Sequence, residues 1–155
     1  MRGMGRRDEV LDAAIRRARQ PTDQLIAQIE AMVGSRRHIT VVTPKETLID
    51  VLVHSQDIAL PLGLHLQMEA TASARAATRL WDTRRTWLSS VFQTLPLQGY
   101  RLTATDTDWT RGQGPEIAGP IGAILLLLAG RSAALERLTG EGADALRHTV
   151  LAARP

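Results

Sequence analysis

The chain has 155 residues, which is enough for one domain with a hydrophobic core or for two small domains. It contains no cysteine, and this excludes disulfides, thiolate metal ligands and a cysteine nucleophile. If the protein carries out thiol chemistry, the thiol must therefore come from a small molecule.

The net charge of +3 comes almost entirely from arginine, since Lys45 is the only lysine. A basic surface can bind nucleic acid, but the arginine pairs are scattered and acidic residues lie between them. The longest apolar run, residues 121–129, is too short to span a bilayer, and the N-terminus lacks the apolar core of a signal peptide. We therefore expect a cytoplasmic protein that binds neither nucleic acid nor a membrane.

Helical periodicity dominates the first part of the chain. Apolar residues recur at helical spacing in residues 7–20 and again in residues 22–33. A third helix is predicted over residues 43–60, and an alanine-rich helical stretch over residues 68–92. Because the connections are short, we expect these helices to be antiparallel neighbours.

The third helix has the clearest boundaries. Thr43 can cap it, Pro44 suits its first position, and Glu46 stands three residues after Thr43, as in a capping box. Pro61 and Gly63 provide a stop signal. Most positions between these signals are apolar, so we expect the helix to be buried on most sides.

The pattern changes near residues 95–96. Residues 99–106 alternate and are β-branched, which predicts a strand, and residues 115–118 are predicted to pair with it as a hairpin. Helical segments are predicted at residues 120–128, 132–138 and 143–153. The predicted fold class is therefore α+β and mostly helical.

A polar stripe interrupts the apolar third helix. Asp50, His54 and Asp57 are spaced i, i+4 and i+7, so they share one face, and Asp50 and His54 offer oxygen and nitrogen ligands to a cation such as zinc. A solvated polar stripe explains the same spacing, and two ligands do not complete a site. Asp57 could hold the ring of His54, but we favour a surface charge. His38 could complete the site only if its basic segment folds over the helix.

The remaining polar residues favour structural roles. His65 and His148 have no neighbouring acidic or histidine residue at ligand spacing, so we expect them to be structural or surface residues. Asp106, Asp108 and Trp109 cluster at a predicted turn, where aspartate is common for backbone reasons. Paired carboxylates also support acid–base chemistry, but the turn interpretation is the simpler one. No nucleophile motif indicates a hydrolase.

Two blocks of sequence nevertheless resemble a known family. One is the segment L-x-D-x-L-V-H-x-Q-D-I-x-x-P-L-G-L at residues 48–64. The other combines R-L-x-A-T-D-T-D-W (101–109), G-x-G-P-E (112–116) and L-L-L-L-A-G-R (125–131). In this order they resemble the mycothiol-dependent maleylpyruvate isomerase family, and the resemblance covers residues 2–150 approximately.

The resemblance implies a DinB-like four-helix bundle that binds a divalent metal, usually zinc, followed by a C-terminal domain. The family's ligands are a His on an early helix and an acidic residue and a His in an E/D-x3-H pair, which falls here on Asp50 and His54. Characterised members use mycothiol: its thiolate adds to the cis double bond of maleylpyruvate, the carbon–carbon bond rotates, and the thiol leaves to give fumarylpyruvate. The implied partners are thus mycothiol and a small-molecule substrate. The resemblance assigns no catalytic or mycothiol-binding residue.

The chain departs from the family at its N-terminus. The early helix with the first ligand His, in a W-x-x-x-D-x-x-x-H context, is missing, so we expect an N-terminally truncated protein. The expected domains are a partial DinB-like bundle in residues 1–95 and a small α/β domain in residues 96–155. Two functions remain open: a metal-binding isomerase or thiol transferase whose activity depends on the missing helix, or a non-catalytic remnant that binds a partner or forms a homodimer through its exposed bundle face.

Overall fold

A computed structural model describes residues 3–35, 43–84 and 95–152 of the protein. The fold is α+β and mostly helical, with a small three-stranded sheet, as the sequence predicted. The elements, in chain order, are α1 (Gly3–Ala18), α2 (Thr22–Glu30), α3 (Pro44–Ala59), α4 (Ala70–Thr83), β1 (Arg101–Ala104), β2 (Thr110–Gly112), β3 (Glu116–Gly119), α5 (Ile121–Leu128), a 3-10 helix (Ser132–Arg137) and α6 (Glu141–Ala152).

Contacts divide the chain into two compact units, Met1–Arg37 and His38–Pro155. The first unit contains α1 and α2, both at positions where helical periodicity predicted them. None of the residues of α2 is buried, and Ile29 is 67% exposed. The predicted division into residues 1–95 and 96–155 stays a prediction.

The core of the second unit is built around α5. All eight of its residues are buried, because the sequence from Ile121 to Leu128 has no polar side chain. Around it lie α4, the sheet and the 3-10 helix, and α3 packs on α4. In the described part of the chain, no helix is long and apolar enough to cross a membrane.

The sheet has the order β2-β1-β3, and this corrects the predicted hairpin. β1 pairs with β2 in an antiparallel hairpin, whereas β3 lies parallel to β1 on its other edge. The hairpin predicted between residues 99–106 and 115–118 is therefore wrong: the antiparallel partner lies inside the predicted turn. Gly112 and Gly114 have φ of 85° and 116°, which allows the chain to pass from one edge of the sheet to the other within three residues.

Only one side of α3 is buried. Ile49, Val53, Gln56 and Ala59 face the core, and Gln56 Nε2 donates to the carbonyl of Leu66 at 2.7 Å. Other apolar residues of the helix lie on its exposed side; Val51 is 63% and Ile58 is 66% exposed. The expectation that α3 is buried on most sides is therefore wrong, because its apolar residues are not confined to the stripe that faces α4.

Candidate functional site

The start of α3 is fixed by the predicted capping box. The backbone N–H of Thr43 donates to Glu46 Oε2 at 2.9 Å, and the Thr43 side chain accepts from the backbone N–H of Lys45 at 3.3 Å. Glu46 also accepts from Arg79 Nε of α4 at 2.7 Å. These contacts set where the helix begins and, with it, which residues share each of its faces.

The three residues of the predicted stripe all lie on the exposed side of α3. Asp50, His54 and Asp57 have exposed side chains, and that of His54 is 63% exposed. His54 Nδ1 lies 3.0 Å from Asp57 Oδ2. Because a carboxylate can only accept, Nδ1 is the donor, and in the neutral ring Nε2 is then left with its lone pair.

Asp57 is held in turn by an arginine from the end of α5. Arg131 Nη2 lies 2.6 Å from Asp57 Oδ2, and its Nε lies 3.1 Å from Oδ1, so the guanidinium contacts both carboxylate oxygens. The hydrogen bond from Arg131 and, to a smaller extent, that from His54 lower the pKa of Asp57 although burial opposes them. Asp57 is therefore exposed, as the surface interpretation predicted, but it also contacts the ring of His54 and is held by Arg131.

The backbone that follows α5 places Arg131. Gly130 adopts φ of 82°, and the N–H groups of Gly130 and Arg131 donate to the carbonyls of Leu127 and Leu126 at 3.0 and 2.9 Å. This is a Schellman cap. In the sequence, Gly130 and Arg131 appear only as the last residues of the L-L-L-L-A-G-R block, after a predicted helix that ends at residue 128. The sequence does not indicate the contact of Arg131 with Asp57 because the two side chains are 74 residues apart, and no local spacing signals such a pair.

Asp50 and His54 offer two of the donor types that catalytic zinc sites use. Asp50 stands one turn before His54 on the same face, and His54 is oriented through Nδ1 with Nε2 available. These donors suit zinc. Within residues 3–35, 43–84 and 95–152, however, no group of three or more His, Asp or Glu side chains could hold a metal ion. The candidate third ligand His38 lies outside the described residues.

The other polar candidates have structural roles or lie at the surface. Asp106 Oδ1 accepts from the backbone N–H of Ile121 at 2.8 Å, which satisfies a free donor at the start of α5. Trp109 is buried, and its Nε1 donates to Thr78 Oγ1 at 2.9 Å. Asp106 thus makes a structural hydrogen bond, but with the start of α5 and not within its own turn. His65 and His148 are exposed.

A cavity of about 590 Å³ lies between α3 and α4, away from the polar stripe. Its volume is in the range of small-molecule sites. Asp50, His54 and Asp57 do not line it. Its lining residues are Pro44, Lys45, Leu48, Thr71, Ala74, Arg75, Thr78, Arg79, Asp82 and Thr107.

Exposed apolar side chains flank the polar stripe and continue beyond the helix. On α3 these are Val51 and Ile58. The segment that follows α3 adds Leu60, Leu62, Leu64 and Leu66, each at least 43% exposed. Such clustering is typical of surfaces that are covered by another molecule.

No protein-family model, curated protein or solved structure matches the chain.

Proposed function

We propose that the protein is a metal-binding member of the mycothiol-dependent maleylpyruvate isomerase family, with a DinB-like bundle, and that it acts as an isomerase or thiol transferase. The two ordered blocks of sequence support the family. The observation that carries the proposal is the contact of His54 Nδ1 with Asp57, one turn after Asp50. A carboxylate that holds one ring nitrogen of a histidine is the usual support of a metal-binding imidazole.

In this proposal Asp50 and His54 hold a divalent cation, probed here as zinc, and Asp57 orients His54. A bound zinc ion would lower the pKa of a nearby thiol and polarise a carbonyl or carboxylate oxygen of the substrate. The family resemblance assigns the thiol to mycothiol, and the chain itself has no cysteine that could supply one. The exposed position of His54 leaves room for both reactants. A third ligand has to come from outside the described residues.

An isomerisation assay tests this function. The full chain with zinc and mycothiol should accelerate the conversion of maleylpyruvate to fumarylpyruvate, followed by ultraviolet absorbance. Replacement His54→Ala should lower the rate by more than about 100-fold, because even partners outside the coordination sphere account for about 10–100-fold.

His65→Ala is the matched control, since His65 is also exposed but lies off the stripe. Its rate should equal that of the wild type. A wild-type rate no higher than that of mycothiol alone, or an equal loss in both variants, would contradict the proposed function.

The alternative is a non-catalytic module that binds a partner or a second copy. The exposed apolar side chains of α3 and of the segment after it favour this alternative. In that case the polar stripe would be a remnant that binds no metal. The two functions differ in metal content and in oligomeric state, and both can be measured on the same sample.

A further inference from the structure

We propose that Arg131 is a positioning residue for His54, acting through Asp57. The inference rests on the proposed function in so far as His54 is a metal ligand. The claim itself concerns the orientation and the tautomer of the imidazole, and both exist without a metal. Arg131 lies in the C-terminal half of the unit, so the polar stripe would depend on an element far away in sequence.

The contact geometry supports this role. Arg131 contacts Asp57 through Nε and Nη2 at 3.1 and 2.6 Å, one donor for each carboxylate oxygen. A carboxylate held at both oxygens cannot rotate without losing a hydrogen bond. Oδ2, the oxygen that Nη2 contacts, is also the oxygen 3.0 Å from His54 Nδ1. Arg131 therefore fixes the acceptor that selects which ring nitrogen of His54 carries the proton.

Arg131 is itself held in place. Its backbone N–H closes the Schellman cap of α5, and its Nη1 donates to the carbonyl of Ala129 at 2.6 Å. The α5 helix is buried along its whole length. The carboxylate of Asp57, on the exposed face of α3, is in this way connected to a fully buried helix of the core. Among the described residues, the side chains within ion-pair distance of Asp57 are Arg131 and His54, and His54 is charged only when its ring is protonated.

A simpler account is that the ion pair only fastens the end of α5 to α3. Both accounts predict a loss of stability when Arg131 is replaced. Only the positioning role predicts a change in the tautomer of His54. The pair of Arg79 with Glu46 provides a control, because it also joins α3 to another element, at 2.6 Å, without touching the stripe.

The test uses the full metal-free chain with ¹⁵N-labelled histidine, at a pH above the titration range of histidine. Two-dimensional NMR of the ring nitrogens distinguishes the Nδ1–H from the Nε2–H tautomer of His54. The wild type should show mainly Nδ1–H. Arg131→Met should shift the population toward Nε2–H, and Arg131→Lys should restore it only in part, because lysine lacks the bidentate fork. Arg79→Met should leave it unchanged.

Zinc titration of the same proteins provides the second readout. Arg131→Met should weaken zinc binding by about 10–100-fold, and Arg79→Met should not weaken it. If Arg131→Met does not fold, Asp57→Asn, which keeps the shape of the side chain, replaces it, and the Nδ1–H population should fall in the same way. An unchanged tautomer in folded Arg131→Met or Asp57→Asn, or an equal change in Arg79→Met, would overturn the inference. A wild type that binds no zinc but shows the tautomer shift would overturn the proposed metal site and leave the positioning role intact.

Discussion

Glu46 stabilises two helices at once. It completes the capping box of α3 with Thr43 and pairs with Arg79 of α4, and its side chain is only 16% exposed. Burial by itself would raise the pKa of Glu46, but the hydrogen bonds from Thr43 and Arg79 outweigh it and hold the pKa at about 2. The ionised form is therefore the form that stabilises the fold.

We predict that this carboxylate makes the protein sensitive to acid. A group whose pKa is lowered by folding adds stability above its ordinary pKa of 4.5, and that contribution is lost as the pH falls from there toward 2. The full effect is on the order of 3 kcal/mol. Glu46→Gln should remove most of the pH dependence of the free energy of unfolding. The measurement is urea unfolding followed by circular dichroism from pH 2 to pH 7.

Asp108→Asn is the control, since Asp108 is an exposed residue of the turn after β1. This variant should keep the wild-type dependence on pH. If Glu46→Gln also keeps it, the hydrogen bonds to Thr43 and Arg79 do not stabilise the ionised form.

At the scale of residues, the sequence predicted what depends on local spacing. The capping box follows from the residue types of Thr43 and Glu46 and their spacing of three, and the shared face of Asp50 and His54 follows from helical periodicity. The role of Asp57 does not, because its second partner, Arg131, is brought to it by the packing of α5. Long-range pairs of this kind leave no periodic signal in the sequence.

At the scale of elements, the helices and the strands β1 and β3 were predictable, whereas β2 and the pairing of the strands were not. A capping box marks α3, and an unbroken apolar run between Pro120 and Gly130 marks α5. By contrast, β2 has only three residues and shares its polar composition with the turn before it. Alternation identifies a strand but not the direction of its neighbour. The parallel pairing of β1 with β3 depends on how the glycines after β2 redirect the chain.

We predict that Gly114→Ala strongly destabilises the second unit. A Cβ at this position would lie 2.0 Å from the carbonyl oxygen of Gly99, and its φ of 116° is unfavourable for residues with a side chain. The expected loss in free energy of unfolding is about 3 kcal/mol or more, measured by urea unfolding.

Gly63→Ala is the matched control. Gly63 also has a positive φ, 65°, but a Cβ there would meet no atom within 4 Å. The loss in free energy of unfolding in Gly63→Ala should be limited to about 1–2 kcal/mol. Equal losses in the two variants would show that backbone conformation alone, and not the close passage of the chain beside Gly99, determines the effect.

At the scale of the whole molecule, helical periodicity and strand alternation predicted an α+β chain but not how its elements share a core. The second unit is organised by α5, whose eight residues are all buried, while α2 in the first unit buries none. Which helices share a core depends on contacts between distant residues, which helical periodicity does not report. Helical periodicity likewise does not report that Val51 and Ile58 of α3 lie exposed beside the candidate ligands.

The most direct test of the proposed metal site is native mass spectrometry of the full chain incubated with zinc, because one spectrum reports metal stoichiometry and oligomeric state together. We predict a chain that carries one zinc ion and loses it in both Asp50→Ala and His54→Ala, but not in His65→Ala. A metal-free dimer, or zinc that remains bound in both ligand variants, would contradict the proposed site, and the metal-free dimer would favour the dimerising module.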